Sequence, residues 1–181
     1  MSEDPYFLLK LKRAFERYHA RDFDASKALC AELLEQVPNQ PDVTNLLALV
    51  ARATKKWGKA ELIVREGIEA NPYSASLQNT LGLLAMDQRR FAEAEAAFRR
   101  AVQIKPHQEE FKINLSRALH ELGYLDAANT ELNSVIDEKP LPNAYIQLAR
   151  IALERGDIAA ASGAIEEASK LNAPLQELLT V

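Results

Sequence analysis

The side chains of this 181-residue chain that could carry out chemistry are few and scattered. The three histidines, His19, His107 and His120, are not at metal-ligand spacing, and no cluster of cysteine, histidine and carboxylate side chains accompanies them. The sequence also lacks a glycine-rich phosphate loop, the nucleophile turn of a hydrolase and the paired-histidine helix of a metalloprotease. It therefore predicts no catalytic residue, no metal site and no cofactor.

The charge pattern gives no general attraction to nucleic acids. The net charge is −4, and 27% of the residues are charged, whereas nucleic-acid binding usually needs a basic surplus or patch. Two basic pairs, Arg89–Arg90 and Arg99–Arg100, have Glu93 and Glu95 between them, which is typical of a solvated helical face. We expect no nucleic-acid partner.

Three features indicate a cytoplasmic protein. The first residues, Met1 to Pro5, are acidic and polar, unlike the start of a signal peptide. The longest nearly apolar runs, such as Leu46 to Ala51, are far shorter than a membrane span, so direct membrane insertion is not expected. The single cysteine, Cys30, cannot form an internal disulfide, which fits a reducing compartment.

A constant spacing of prolines organises the chain. Prolines recur every 34 residues, at Pro38, Pro72, Pro106, Pro140 and Pro174. A fixed period of this length indicates a solenoid of repeated units. After a tail at residues 1–6, the predicted units are 7–40, 41–74, 75–108, 109–141 and 142–175.

Each unit has the pattern of two antiparallel helices. In the third unit, Leu77, Leu81 and Leu84 share one face of a first helix, Ala94 and Phe98 share a face of a second, and a polar turn separates them. Five such pairs predict about ten helices. In the atypical first unit, the expected stripe is Leu8, Leu11, Phe15 and Tyr18.

Two positions of the repeat are small in every unit. The first-helix position is Ala14, Ala48, Gly82, Ser116 and Ala149, and the second-helix position is Ser26, Ala60, Ala94, Ala128 and Ala161. Because helix separation depends on the side chains at the crossing, these columns predict close packing within each pair. Cys30 occupies the inward position that holds Val64 and Phe98 in later units, so it is expected to be a core residue.

This pattern resembles the tetratricopeptide repeat (TPR) family over residues 7–175. The third unit carries the family's residues as Leu81–Gly82, Ala94, Phe98, Ala101 and Pro106. The resemblance implies an all-α, right-handed superhelical solenoid of antiparallel helix pairs, in one continuous domain of five repeats. Residues 176–181 are expected to form a partial C-terminal capping helix, and the open alternatives are a short natural cap, a longer parent chain and a second copy covering the end.

In the family, the first helices line an inner groove, and their residues outside the packing stripe face a ligand. The resemblance places arginine anchors, backbone-binding amides and apolar seats for a partner at Asn45, Arg52, Asn79, Leu83, Met86, Asn114, Arg117, His120, Gln147 and Arg150. Glu110 and Ile113 lie on the same predicted surface. The subtype that clamps the acidic terminus of chaperones does not fit, because its required positions hold residues such as Leu11, Leu46 and Thr80.

The sequence thus favours a non-catalytic scaffold that binds a peptide or protein segment in its concave groove. Two other functions stay open at this stage. The first alternative is the substrate-selecting repeat portion of a larger enzyme, such as a transferase, and the second is a structural module that self-associates through its solenoid ends.

Overall fold

A computed structural model describes residues 4–171, which contain ten α-helices and no strand. In chain order, the first helix of each successive pair is α1, α3, α5, α7 or α9, and the second is α2, α4, α6, α8 or α10. The helices are α1 (Pro5–His19), α2 (Phe23–Gln36), α3 (Pro41–Ala53), α4 (Trp57–Ala70), α5 (Ala75–Asp87), α6 (Phe91–Ile104), α7 (Glu109–Glu121), α8 (Leu125–Glu138), α9 (Pro142–Glu154) and α10 (Ile158–Lys170). This agrees with the predicted number of helices.

The periodic prolines follow the ends of the second helices. The helices α2, α4, α6 and α8 each end two residues before a proline, at Pro38, Pro72, Pro106 and Pro140. The residue between the helix and the proline leaves the helical region, with φ from −132° to −157°. Proline causes this, because its ring disfavours helical backbone at the residue before it. The fifth proline, Pro174, and the predicted cap at 176–181 lie outside the described residues.

The chain divides into two compact units, residues 1–88 and 89–181. In the first unit, each helix from α1 to α5 packs against the next, and the first helices also contact one another, α1 with α3 and α3 with α5. In the second unit, α6 to α10 pack in the same way, and α7 contacts α9. Within each unit, helices therefore pack against near neighbours in sequence, which is the packing of a repeat protein.

The residues of the two small columns lie in the interior of their units. Each member that the sequence analysis names is buried, and those with side chains expose at most 1% of their surface. In the first pair, the Ser26 hydroxyl donates to the Ala14 carbonyl oxygen at 2.9 Å, so the two columns touch directly. Cys30 is fully buried in the same core.

The predicted stripe of the first helix is wrong at one residue. Leu8 is 49% exposed, whereas its neighbour Phe7 is 2% exposed. Phe7, Leu11 and Ala14 are the buried residues of α1. They are spaced i, i+4 and i+7, so they form one helical face from which Leu8 is turned away by about 100°.

The turn within each pair needs a left-handed residue. The turns contain one residue with φ between 57° and 78°, and these residues are Arg21, Lys55, Arg89, Gly123 and Gly156. At Lys55, the backbone N–H donates to the Arg52 carbonyl and the next N–H donates to the Ala51 carbonyl. The same two bonds close the turns at Arg21, Gly123 and Gly156. This is the Schellman ending of a helix, which favours glycine because a Cβ atom strains the left-handed conformation.

Gly67, where the family usually has alanine, lies at a crowded crossing. A Cβ atom at Gly67 would lie 2.8 Å from the Thr44 Cγ2 atom and 3.1 Å from the Leu77 Cδ1 atom. Thr44 is on α3 and Leu77 on α5, and both are buried. The glycine therefore allows α4 to approach two first helices at once.

We predict that Gly67→Ala lowers the free energy of unfolding by about 1 kcal/mol. The alanine gains about 1 kcal/mol in helix propensity, but overpacking against two buried side chains costs about 1–3 kcal/mol. Denaturant unfolding would measure the difference. Gly58→Ala on the same helix is the control, since nothing lies within 4 Å of its Cβ position, and it should be neutral or stabilising. A gain of stability in both variants would contradict the crowding argument.

We also predict that Lys55→Gly raises the free energy of unfolding by about 0.5–1 kcal/mol, because glycine relieves the left-handed strain. The reverse change, Gly123→Ala, should lower it by about 1 kcal/mol. No atom lies within 4 Å of a Cβ at Gly123, so that loss would come from the backbone alone. Thermal melts of both variants test the pair, and a destabilised Lys55→Gly would refute the strain.

Candidate functional site

A cleft in the second unit lies between the first helices α7 and α9. Its volume is about 670 Å³. The lining residues come from the two helices and the segments that lead into them: Gln108, Glu109, Glu110, Ile113, Asn114, Arg117, Leu141, Pro142, Asn143, Ile146, Gln147 and Arg150. Four residues of the predicted groove, Asn114, Arg117, Gln147 and Arg150, are therefore brought together here.

The two helices present matching side chains in register. Residues that are 33 apart in sequence line the cleft at the same level on the two helices. These pairs are Ile113 with Ile146, Asn114 with Gln147, and Arg117 with Arg150. We call these three pairs the apolar, amide and guanidinium rungs. The fourth level, the acidic rung, contains Glu109 and Glu110 at the start of α7, opposite Pro142 and Asn143 at the start of α9.

The apolar rung forms the floor and the charged rungs form the ends. Ile113 and Ile146 are 9% and 4% exposed, whereas Glu110, Arg117 and Arg150 are exposed. Among residues 4–171, neither Glu110 nor Arg150 makes an ion pair or a side-chain hydrogen bond. Their charges are thus available to a ligand.

Two ion pairs beside the cleft join α7 to the end of α8 and to the residue that follows it. The Lys112 ammonium of α7 donates to the Glu138 carboxylate of α8 at 2.8 Å, and this bond lowers the pKa of Glu138 below its ordinary value. Glu109 lies 3.8 Å from the Lys139 ammonium. Lys112 is only 9% exposed, so the bond also satisfies a largely buried cation.

Several predicted groove residues of the first unit are engaged within it. The Asn45 side-chain oxygen of α3 accepts a bond from the Thr80 hydroxyl of α5 at 2.6 Å. Arg52 binds Asp87 through two hydrogen bonds of 2.5 and 3.0 Å. Asn79 is buried at 6% exposure. The remaining two residues, Leu83 and Met86, are partly exposed on α5.

The tenth predicted residue, His120, joins first helices in the second unit. Its Nε2 atom lies 2.5 Å from the Glu154 carboxylate of α9. Arg52 and Asp87 occupy the corresponding positions on α3 and α5. In both units, therefore, a basic side chain near the end of one first helix holds an acidic side chain at the end of the next.

The sequence analysis missed the cleft residues around the start of α9 and the α9 residue in the apolar floor of the cleft. Leu141, Pro142, Asn143 and Ile146 line the cleft, but none was among the predicted groove residues. A signal was available, because each lining residue of α9 follows one of α7 by 33 residues. The acidic partners Asp87 and Glu154 had no such signal.

Other candidate chemistry is accounted for by packing. The Cys30 thiol is fully buried, and burial raises its pKa to about 11, so it is protonated at neutral pH. Within the part of the chain that the structure describes, no group of three or more His, Cys, Asp or Glu side chains could hold a metal ion. No described helix is both long and apolar enough to cross a membrane.

The sequence matches family models of the tetratricopeptide repeat at residues 11–75 and 85–145, which together cover more than half of the chain. The protein therefore belongs to the TPR family, with about five repeats, as the sequence analysis predicted. Proteins of this family act generally in protein–protein interaction, and the chain has their scaffold fold. No curated protein sequence matches significantly.

Solved structures confirm the fold class as the all-α solenoid of helix pairs. A thermophilic TPR protein of Thermus thermophilus, TTC0263, is 16% identical, with a TM-score of 0.82 over 97% of this chain and 100% of that one. PilW, a type IV pilus biogenesis factor, is 21% identical, with a TM-score of 0.81 over 98% and 80%. YrrB, a TPR protein with an unusual peptide-binding site, is 15% identical, with a TM-score of 0.69 over 94% and 89%.

We predict that Arg52 and Asp87 stabilise the first unit together. A double-mutant cycle with Arg52→Ala and Asp87→Ala should give a coupling energy of about 1 kcal/mol, because the pair is bidentate and its side chains are only 28% and 25% exposed. The matched pair Arg99 and Glu95, within one helix and more exposed at the arginine, should give about 0.3–0.5 kcal/mol. Equal coupling in both cycles would show that Arg52 and Asp87 add nothing beyond a surface pair.

Proposed function

We propose that this protein is a non-catalytic scaffold that binds an extended segment of a partner protein in the cleft between α7 and α9. The observation that carries the proposal is the in-register lining of that cleft. Its volume of about 670 Å³ is in the range of about 300–1,000 Å³ that ligand sites occupy. Polar groups converge there above an apolar floor, which is the usual composition of a binding site.

Each rung suits one part of a peptide. The amides of Asn114 and Gln147 carry both donors and acceptors, which suits a peptide backbone; Gln147 is partly exposed and Asn114 is 7% exposed, so Gln147 offers the larger contact. The guanidinium groups of Arg117 and Arg150 can bind a carboxylate through paired N–H donors. The isoleucine floor can accept an apolar side chain. This combination suits an extended segment, because its backbone N–H and C=O groups are not already bonded within a helix or a strand.

The packing of the repeats keeps the cleft in shape. Small residues are buried in α7, α8, α9 and α10, and the ion pairs beside the cleft join α7 to the end of α8 and the residue after it. A preformed site loses little conformational entropy on binding, so the partner segment carries most of the ordering cost. YrrB, whose fold is similar, is described as having a peptide-binding site, which supports the choice of a peptide ligand.

The proposal includes the predicted groove residues on the other first helices. On α5, Leu83 and Met86 form a partly exposed apolar pair that can seat a partner side chain. Asn45 and Arg52 bond to the next first helix of the first unit, Asn79 is buried there, and His120 bonds to Glu154 in the second unit, so each supports the surface of its own unit. We propose a cytoplasmic location, since the chain's single cysteine is a buried free thiol.

We predict that Arg117→Glu combined with Arg150→Glu abolishes partner capture while the melting temperature changes by only a few degrees. Both residues are exposed, and the reversal replaces carboxylate-binding groups with repelling ones. The measurement is affinity capture with the full chain as bait, followed by identification of the retained proteins and a thermal melt.

The matched control is Arg99→Glu combined with Arg100→Glu, which makes the same charge change on exposed residues of α6 in the same unit. A partner of the cleft should be kept by the wild type and the control and lost from the cleft variant. Retention by the folded cleft variant would exclude Arg117 and Arg150 as anchors.

A further inference from the structure

The rungs of the cleft between α7 and α9 have a fixed charge order. The acidic rung at Glu109 and Glu110 is followed by the apolar rung, the amide rung and then the guanidinium rung at Arg117 and Arg150. Glu109 and Glu110 of α7 make one end of the cleft acidic, and Arg117 of α7 and Arg150 of α9 make the other end basic. The two ends therefore favour side chains of opposite charge.

Helix electrostatics explains one end only. Acidic residues in the first turn stabilise a helix through its macrodipole, which accounts for Glu109 and Glu110. The two arginines lie before the last turn of their helices, at positions where the macrodipole effect has faded. In addition, the Arg150 guanidinium has no partner among residues 4–171. Neither the helix macrodipole nor a bond to another described residue explains the guanidinium group of Arg150.

The spacing of the rungs matches an extended chain. Four helical residues separate the apolar and guanidinium rungs, or about 6 Å along the axis. Alternate side chains of an extended peptide, which point the same way, are about 6.6 Å apart. The whole distance from Glu110 to Arg117 is about 10.5 Å, and flexible charged side chains can take up the remaining difference.

We propose that the cleft selects an extended segment in which an apolar side chain lies between an acidic and a basic side chain at alternate positions. The acidic side chain would bind the guanidinium rung, the apolar side chain the isoleucine floor, and the basic side chain Glu110. The cleft fixes the order of the three side chains and not the direction of the peptide backbone. The acidic residue can therefore come before or after the basic residue in the peptide sequence. This inference rests on the proposed function and specifies the partner's chemistry.

Four synthetic peptides test the inference by titration of the isotope-labelled full chain, with NMR shifts of the cleft residues as the readout. Each has seven residues, and its ends are acetylated and amidated, so no terminal charge contributes. In three of them, alanines separate the informative positions, which read glutamate–leucine–lysine, lysine–leucine–lysine and glutamate–leucine–glutamate. The fourth, leucine–glutamate–lysine, moves the apolar residue to one end. A fifth peptide of alanines with a free terminal carboxylate tests end recognition.

The wild-type chain should bind the glutamate–leucine–lysine peptide about tenfold more tightly than the lysine–leucine–lysine and leucine–glutamate–lysine peptides. Arg117→Glu with Arg150→Glu makes both ends acidic, so its preference should change to lysine–leucine–lysine. This change is a gain of binding, which a misfolded variant cannot imitate.

The other outcomes separate the two proposals. Equal binding of all four capped peptides at the cleft overturns the charge order but leaves peptide binding in place. Binding of the fifth peptide alone overturns the charge order in favour of end recognition. A third outcome combines two results: no peptide shifts the NMR signals of the cleft residues, and the cleft variant still captures the partner that the wild type captures. That outcome overturns both the charge order and peptide binding in the cleft.

Discussion

Close approach of paired helices is the constraint on which the rest of the structure depends. Every residue of the two small columns is glycine, alanine or serine and is buried, and in the first pair the hydrogen bond from Ser26 to the Ala14 carbonyl shows how little space remains. Larger side chains flank these crossings, including the fully buried Val64 and Phe98. Protein interiors are packed as densely as organic crystals, so such contacts fix helix positions closely. The surface formed by the first helices inherits that precision.

The cleft follows from the repeat itself. The first helices α7 and α9 run in the same direction, because one antiparallel helix, α8, connects them. Equivalent positions of α7 and α9 therefore lie at the same level, and similar residues at those positions become facing pairs such as Ile113 and Ile146. A solenoid can in this way build a binding surface from single residues of each repeat, without a dedicated loop.

Much of the fold could be predicted from the sequence because its main signals are local. Proline ends a helix through its own ring, and a small residue leaves space wherever it stands, so the ends of α2, α4, α6 and α8 and the buried columns follow from residue types alone. Leu8 was assigned to the wrong face because a choice between adjacent apolar residues depends on packing partners. The left-handed turns at Arg21 and Lys55 were missed because their residues do not favour that backbone.

The site was less predictable for a related reason. Asn114, Arg117, Gln147 and Arg150 follow from register along one helix, and the structure brings them together in one cleft. The pairs of Arg52 with Asp87 and of His120 with Glu154 depend on how far side chains reach between two helices. The spacing of residues along the sequence does not give the distance between side chains on two different helices. Asn143 is different, because its place opposite Glu110 follows from the 33-residue offset between α7 and α9, which is visible in the sequence.

The charge ladder of the cleft has a consequence for its response to salt. At physiological ionic strength the Debye length is about 8 Å, and Glu110 and Arg117 are about 10.5 Å apart along their helix. Mobile ions therefore screen each end of the cleft from the other, and the opposite charges do not cancel. A chain with a net charge of only −4 thus carries two separate electrostatic environments within one short surface.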